Sequence, residues 1–293
     1  MSLNSSHSRH RVNLPATLKE NTKEQGSMLD LYQFEMSHYS EKVRLILDYK
    51  GLDYRKVEVT PGVGQIEVFQ LSGQRQVPVL KDGVEVIADS TAIAFYLDKK
   101  YPDSPLIPTD AKQRGLCLMM EEWADESIGL NGRKAMLGAF GNDPAFRMAV
   151  LPSTAPDFLK TLVGSVPHEA FDVLGMGVGL GPDAIKSAHT ALKQDLEALC
   201  LLLNESPYLT GDQPTLADFA VAGMTMYIKF PSGNYLDIPN TLKGKGVPGL
   251  ADNPAYARFF EWRDRLYADI RKVNISAPGS TAEGSTPTPI QID

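Results

Sequence analysis

The chain has 293 residues, 43% hydrophobic and 22% charged, with 24 glycines and 20 prolines, a composition that excludes a fibrous or wholly disordered protein and suits about two domains. Lysine and arginine number 29 against 36 acidic residues, a formal net charge of -7 that excludes a general nucleic-acid binder, which needs a basic face. No run approaches the ~18 apolar residues of a bilayer span, so a soluble protein is expected, with neither nucleic acid nor membrane as a partner.

Residues 1–27 are polar, lack the apolar centre of a secretory leader and read as a disordered tail, although their serine and arginine content leaves an organelle address open. Leu29 to Phe34 alternates apolar and polar residues as a short strand does. Ser40 to Lys50 then places Val43, Ile46, Leu47 and Lys50 at helical spacing ahead of the stop signal Gly51. Strand character returns over 54–59, and a short helix fits Ile66 to Leu71. Val77 to Leu80 and Val84 to Ile87 flank a Lys81-Asp82-Gly83 turn as a hairpin. Asp89 to Tyr101 reads as a helix ended by Pro102. This order predicts a small α/β domain over 28–108 with a parallel first strand pair.

Pro102, Pro105 and Pro108 stiffen the passage to a second domain over 109–273. Lys112 to Phe140, Asp183 to Asn204, Thr215 to Phe230 and Pro254 to Lys272 each carry helical periodicity with no strand between them, so this half is expected to be all-helical. A long inserted loop near 141–182 includes the glycine run Gly175 to Gly181. It lacks the preceding strand and the Lys-Ser or Lys-Thr pair of a phosphate loop, so it reads as a loop with packing glycines. Residues 274–293, rich in Ser, Thr, Pro and Gly, read as a second disordered tail. Cys117 and Cys200 lie far apart in separate helical patterns. They suggest neither a disulfide nor a metal site, and they fit buried thiols in a reducing, cytoplasmic compartment.

Three places could carry chemistry. Ser37-His38-Tyr39-Ser40 sits between the first strand and first helix, where backbone N–H groups and the positive helix end stabilise an anion. Ser40, or Ser37, also suits the helix cap, and His38 pairs with nothing that would lift it above a surface histidine. At Gln76-Val77-Pro78, a cis Val77-Pro78 bond would leave the Val77 backbone free to pair with a peptide-like ligand. At Asp89-Ser90-Thr91, Ser90 can cap the third helix while Asp89 attracts an ammonium.

In order along the chain, Ser37-x-x-Ser40-x-Lys42-Val43-Arg44, Gly51-Leu52-x-Tyr54, Val77-Pro78-Val79-Leu80-x-Asp82-Gly83 and Asp89-Ser90-Thr91-Ala92-Ile93 closely resemble the thioredoxin-like domain of soluble glutathione transferases. Tyr208 to Phe219 looks like that family's helical-domain motif, with Thr215-x-x-Asp218 legible as a capping box. The resemblance implies an N-terminal thioredoxin-like domain, an all-helical C-terminal domain and a two-fold homodimer. It also implies a glutathione site with a serine-type centre: glutathione as co-substrate, no metal, and a small hydrophobic electrophile as second substrate.

In that site the Val77 backbone, ahead of Pro78, would pair with the cysteinyl unit. Asp89 and Ser90 would hold the γ-glutamyl end, Gln76 would approach the glycyl carboxylate, and Ser37 would meet the sulfur. Tyr39 and Ser40 stay open for that last role, although Ser37 matches the family's position and Ser40 is better placed to cap. The electrophile pocket is expected between the domains, with Met119, Met120, Trp123, Met136 and Phe140 as candidate lining. Two other readings share the fold: a non-catalytic binding or assembly module, and a specialised glutathione-dependent isomerase or dehalogenase.

Overall fold

The computed structural model describes residues 28–60, 64–142, 161, 164, 165 and 181–272. Both predicted tails and most of the predicted loop over 141–182, with its glycine run up to residue 180, lie outside the described residues. Four strands, β1 (Leu29–Gln33), β2 (Tyr54–Glu58), β3 (Val79–Asp82) and β4 (Glu85–Ala88), form a sheet in the order β2-β1-β3-β4. The β1–β2 pair is parallel and the β1–β3 and β3–β4 pairs are antiparallel. Leu29, Leu31 and Gln33 of β1 are buried and alternate with half-buried neighbours, the period of two that the sequence shows. Asp82 pairs with Glu85, so the hairpin turns on Gly83-Val84, one residue later than expected. The turn needs a positive φ there, and Gly83 supplies 61°.

Helices α1 (His38–Tyr49), α2 (Gly64–Ser72) and α3 (Ser90–Lys100) complete the first half. Helix α1 is buried on nearly every side, its charged residues Glu41, Lys42, Arg44 and Asp48 included. It packs against α7 (Leu216–Met224), where Gly223 permits the approach: a Cβ there would stand 2.9 Å from the Lys42 backbone nitrogen.

The expected helix over Lys112–Phe140 is two helices, α4 (Ala111–Trp123) and α5 (Leu130–Asn142), joined without a break by a π-helical turn over Ala124–Gly129. Helix α6 (Pro182–Glu205) packs along α5, and α8 (Ala257–Ile270) packs on α6. The Asp218 carboxylate holds the start of α7 through the Thr215 N–H at 2.8 Å and the Leu209 N–H at 2.8 Å. One hydrophobic cluster runs from Leu45, Ile46 and Leu97 to Phe219, Val221 and Tyr267, so the sheet half and the helical half share a core. Among the described residues no helix is long and apolar enough to cross a membrane.

Candidate functional site

Ser37, Gln76, Val77, Pro78, Asp89 and Ser90 line one cleft of about 760 Å³ between the sheet half and the helices. Ser37 stands at its floor as the N-cap of α1, its Oγ accepting from the Ser40 N–H at 3.2 Å. That bond uses a lone pair and leaves the hydroxyl proton for a ligand. Ser40 was the expected cap, but its Oγ is fully buried and has no hydrogen-bond partner among the described residues. Position decides this: the cap must precede the first helical residue, and Ser40 already lies in the first turn. The Tyr39 hydroxyl donates to the Asp125 carbonyl at 3.2 Å, and burial, then Asp125, push its pKa up.

His38 is buried rather than superficial, with 3% of its surface exposed. Its ring lies 4.3 Å from that of Tyr39 and 4.4 Å from that of Tyr227. A Cβ on Gly129 would come within 3.1 Å of Nε2. Neither ring nitrogen has a hydrogen-bond partner among the described residues. Burial, then the Arg133 charge, push the imidazole pKa down to about 3. The enclosure comes from Gly129 of the π-helical turn and Tyr227 just past α7, which are far away in sequence.

The Val77–Pro78 peptide is cis, and Val77 stands just outside β3. Asp89, rather than Ser90, is the N-cap of α3: Oδ1 accepts from the Thr91 N–H at 3.0 Å and the Ala92 N–H at 2.9 Å. Its φ of 81° lies in a region that costs a non-glycine residue about 1–3 kcal/mol. Ser90 is instead the first helical residue, and its buried hydroxyl lies 3.5 Å from Asp125 Oδ2.

Beneath this end of the cleft, Lys42 of α1 reaches Glu121, Asp125 Oδ2 at 2.7 Å and Thr91 Oγ1 at 3.2 Å. Thr91 also donates to Glu121 at 2.6 Å. One cation therefore faces two carboxylates. Asp125 Oδ1 is buried without a partner among the described residues, and burial pushes the Asp125 carboxyl up to about 6 in spite of Lys42.

On the other side of α1, Arg44 pairs with Glu41 and Glu35, and Arg271, just past α8, pairs with Glu41 and Asp48. The charged residues of α1 thus fasten the helix that carries Ser37 both to α4 and to the end of α8.

None of the five apolar residues expected to line the electrophile pocket does so. Met120 and Met136 are core, Trp123 and Phe140 pack against that core, and Met119 is 62% exposed. The cleft is lined instead by Glu122, Asp125, Glu126, Leu130 and Arg133, facing Phe34, Tyr39 and Tyr227. The signal was available in the sequence, since positions 122, 126, 130 and 133 form one helical stripe. Its mixed polarity hid it from a search for apolar periodicity.

A glutathione S-transferase N-terminal domain model matches residues 31–105, and the C-terminal domain model matches residues 182–265. Glutathione S-transferase 1 of Dianthus caryophyllus is 30% identical over 197 residues, 66% of this chain and 74% of that protein. The chain belongs to the glutathione S-transferase family. Membership makes glutathione transferase its enzyme class and glutathione the substrate common to its relatives.

A zeta-class glutathione S-transferase of Euphorbia esula is 40% identical over 116 residues, 39% of this chain and about half (52%) of that protein. A glutathione S-transferase from Rhodospirillum rubrum F11 superposes with a TM-score of 0.58 at 19% identity, covering 82% of this transferase and 88% of the other chain, which shows the shared fold.

Proposed function

We propose that this transferase activates the glutathione thiol for attack on a small hydrophobic electrophile, with Ser37 donating a hydrogen bond to the sulfur. The supporting observation is the disposition of the three hydroxyls at the start of α1. Ser40 Oγ is sealed in the core, the Tyr39 proton is committed to the Asp125 carbonyl, and Ser37 is anchored through its oxygen with its proton to spare. A free thiol of pKa ~8.5 is only a few per cent ionised at neutral pH. A donor from Ser37 and the positive end of α1 favour the thiolate. The thiolate then forms the C–S bond at the electrophilic carbon while the leaving group departs with its bonding pair.

The Val77 backbone, next to β3, is suited to pair with the cysteinyl unit, and Gln76, which lines the same cleft, is suited to meet the glycyl carboxylate. Asp89, Ser90 and the carboxylate-rich cluster around Asp125 suit the γ-glutamyl ammonium. Phe95 of α3 and Leu116 and Met119 of α4 are exposed apolar side chains outside the cleft lining. They support a two-fold dimer, which light scattering at micromolar concentration tests. Glutathione is expected to bind in the micromolar to millimolar range usual for small substrates. Titration calorimetry with no heat and no competition up to about 10 mM, well beyond that range, would sink this reading. Activity on a panel of electrophiles would separate transfer from a binding module.

A further inference from the structure

The helix that closes the cleft changes the sign of its charge along its length. Glu122, Asp125 and Glu126 come first, then Leu130, then Arg133. Arg133 follows Glu126 by seven residues, about two helical turns, so the positive charge comes last along the cleft. Arg133 is exposed, makes no ion pair among the described residues, and lies close enough to Tyr39 and Tyr227 to act electrostatically on both hydroxyls. Phe34 and Leu130 add apolar walls to the same cleft.

We infer that this end of the cleft selects electrophiles that carry a carboxylate, held by Arg133 beside the Tyr227 hydroxyl. The inference rests on the glutathione transferase reading and names the class of its second substrate. A guanidinium with no carboxylate of its own binds an anionic group as a forked, charge-assisted donor, and the neighbouring Tyr227 phenol adds a donor without adding charge. An apolar ring attached to that group would lie against Leu130 and Phe34. The reaction itself is unchanged: the thiolate displaces a leaving group, and the carboxylate is carried through to the product.

The test compares 4-chloro-3,5-dinitrobenzoate with its uncharged methylamide, two aryl chlorides that lose chloride to the same thiolate. The native protein is expected to turn over the benzoate with at least a tenfold lower KM than the amide. Arg133→Ala should remove that difference by raising the benzoate's KM at least tenfold, with a much smaller change on the amide and an unchanged calorimetric affinity for glutathione. Arg133→Lys, which keeps the charge but not the fork, should restore part of it. Equal KM values for the two substrates in the native protein would overturn the inference. So would an equal loss on both in Arg133→Ala, which would mark a group that stabilises the transition state whatever the substrate. In both cases intact glutathione binding would leave the transferase reading standing, whereas no glutathione binding and no turnover of either aryl chloride would remove both.

Discussion

Lys42 and Arg44 stand two residues apart on α1, and both are wholly buried, yet their surroundings are opposite in kind. Around Arg44 three cations, Arg44, Arg271 and Lys56, face three carboxylates, Glu35, Glu41 and Asp48. Around Lys42 one cation faces two carboxylates, Glu121 and Asp125, at the wall of the cleft. The acids register the difference. Burial alone would raise Glu35, but Arg44 and Lys56, with the Gln33 amide and the Asp237 N–H, hold it down to about 2. Burial wins at Asp125 and takes it up to about 6. A closed cluster of balanced charge serves the fold, whereas a cluster lacking one cation beside a cavity is prepared to receive one.

That contrast breaks first on stability. Glu41→Gln, in the balanced cluster, leaves Arg44 and Arg271 without their shared carboxylate and should cost about 3–5 kcal/mol in urea denaturation, the usual penalty for breaking a buried pair. Asp125→Asn removes the surplus charge and should change stability by less than about 1 kcal/mol, since Lys42 keeps Glu121. Equal losses would erase the distinction between the clusters.

Ser37→Ala comes next. It should lower turnover ~10- to 1,000-fold, the effect of losing one donor to a developing anion, and raise the pKa of bound glutathione as read from thiolate absorbance. It should also cost about 1 kcal/mol of stability through the lost cap. Ser40→Ala, which removes a hydroxyl with no partner, should move none of these. A thiolate shift in the Ser40 variant alone would reverse the roles.

The surplus acid also predicts a pH dependence. Asp125 takes up a proton as the pH falls through about 6, and an ammonium prefers the ionised form. Affinity for S-methylglutathione, whose sulfur does not ionise, should therefore be flat just above pH 7 and weaken below 6, approaching tenfold per pH unit. In Asp125→Asn calorimetry should find weaker binding and no slope, and a slope that survives this change would belong to another group.

The smallest effect separates cap from charge at Asp89. Asn caps as well as Asp, so Asp89→Asn should keep the melting temperature and lose several-fold in glutathione affinity, while Asp89→Ala should lose both. Native affinity in the Asn variant would remove the Asp89 charge from the site.

That six expected residues line one cleft was legible because they lie at three punctuation marks: a serine before a helix, a Gln-Val-Pro run opening a strand, and an acid and a serine at a helix start. Such marks are local, and local order survives into the fold. What each residue does there was less legible. Ser37 and Ser40 both suit a cap by composition, and only the start of α1 at His38 gives the bond to Ser37 and puts Ser40 in the buried first turn. The same holds for Asp89 and Ser90 at the start of α3.

The sequence by itself determined the element order, the alternation that turns β1 inward, the hairpin and the capping acid at Asp218, because these depend on neighbours within a few residues. Tertiary structure alone decided which charges meet. Lys42 finds Asp125 from 83 residues away and Glu41 finds Arg271 from 230. Tertiary packing also enclosed His38 under the π-helical turn and aimed Arg133 into the cleft. A buried charge needs a partner at a few ångströms, and no periodicity along the chain specifies which distant residue the packing of helices will bring there.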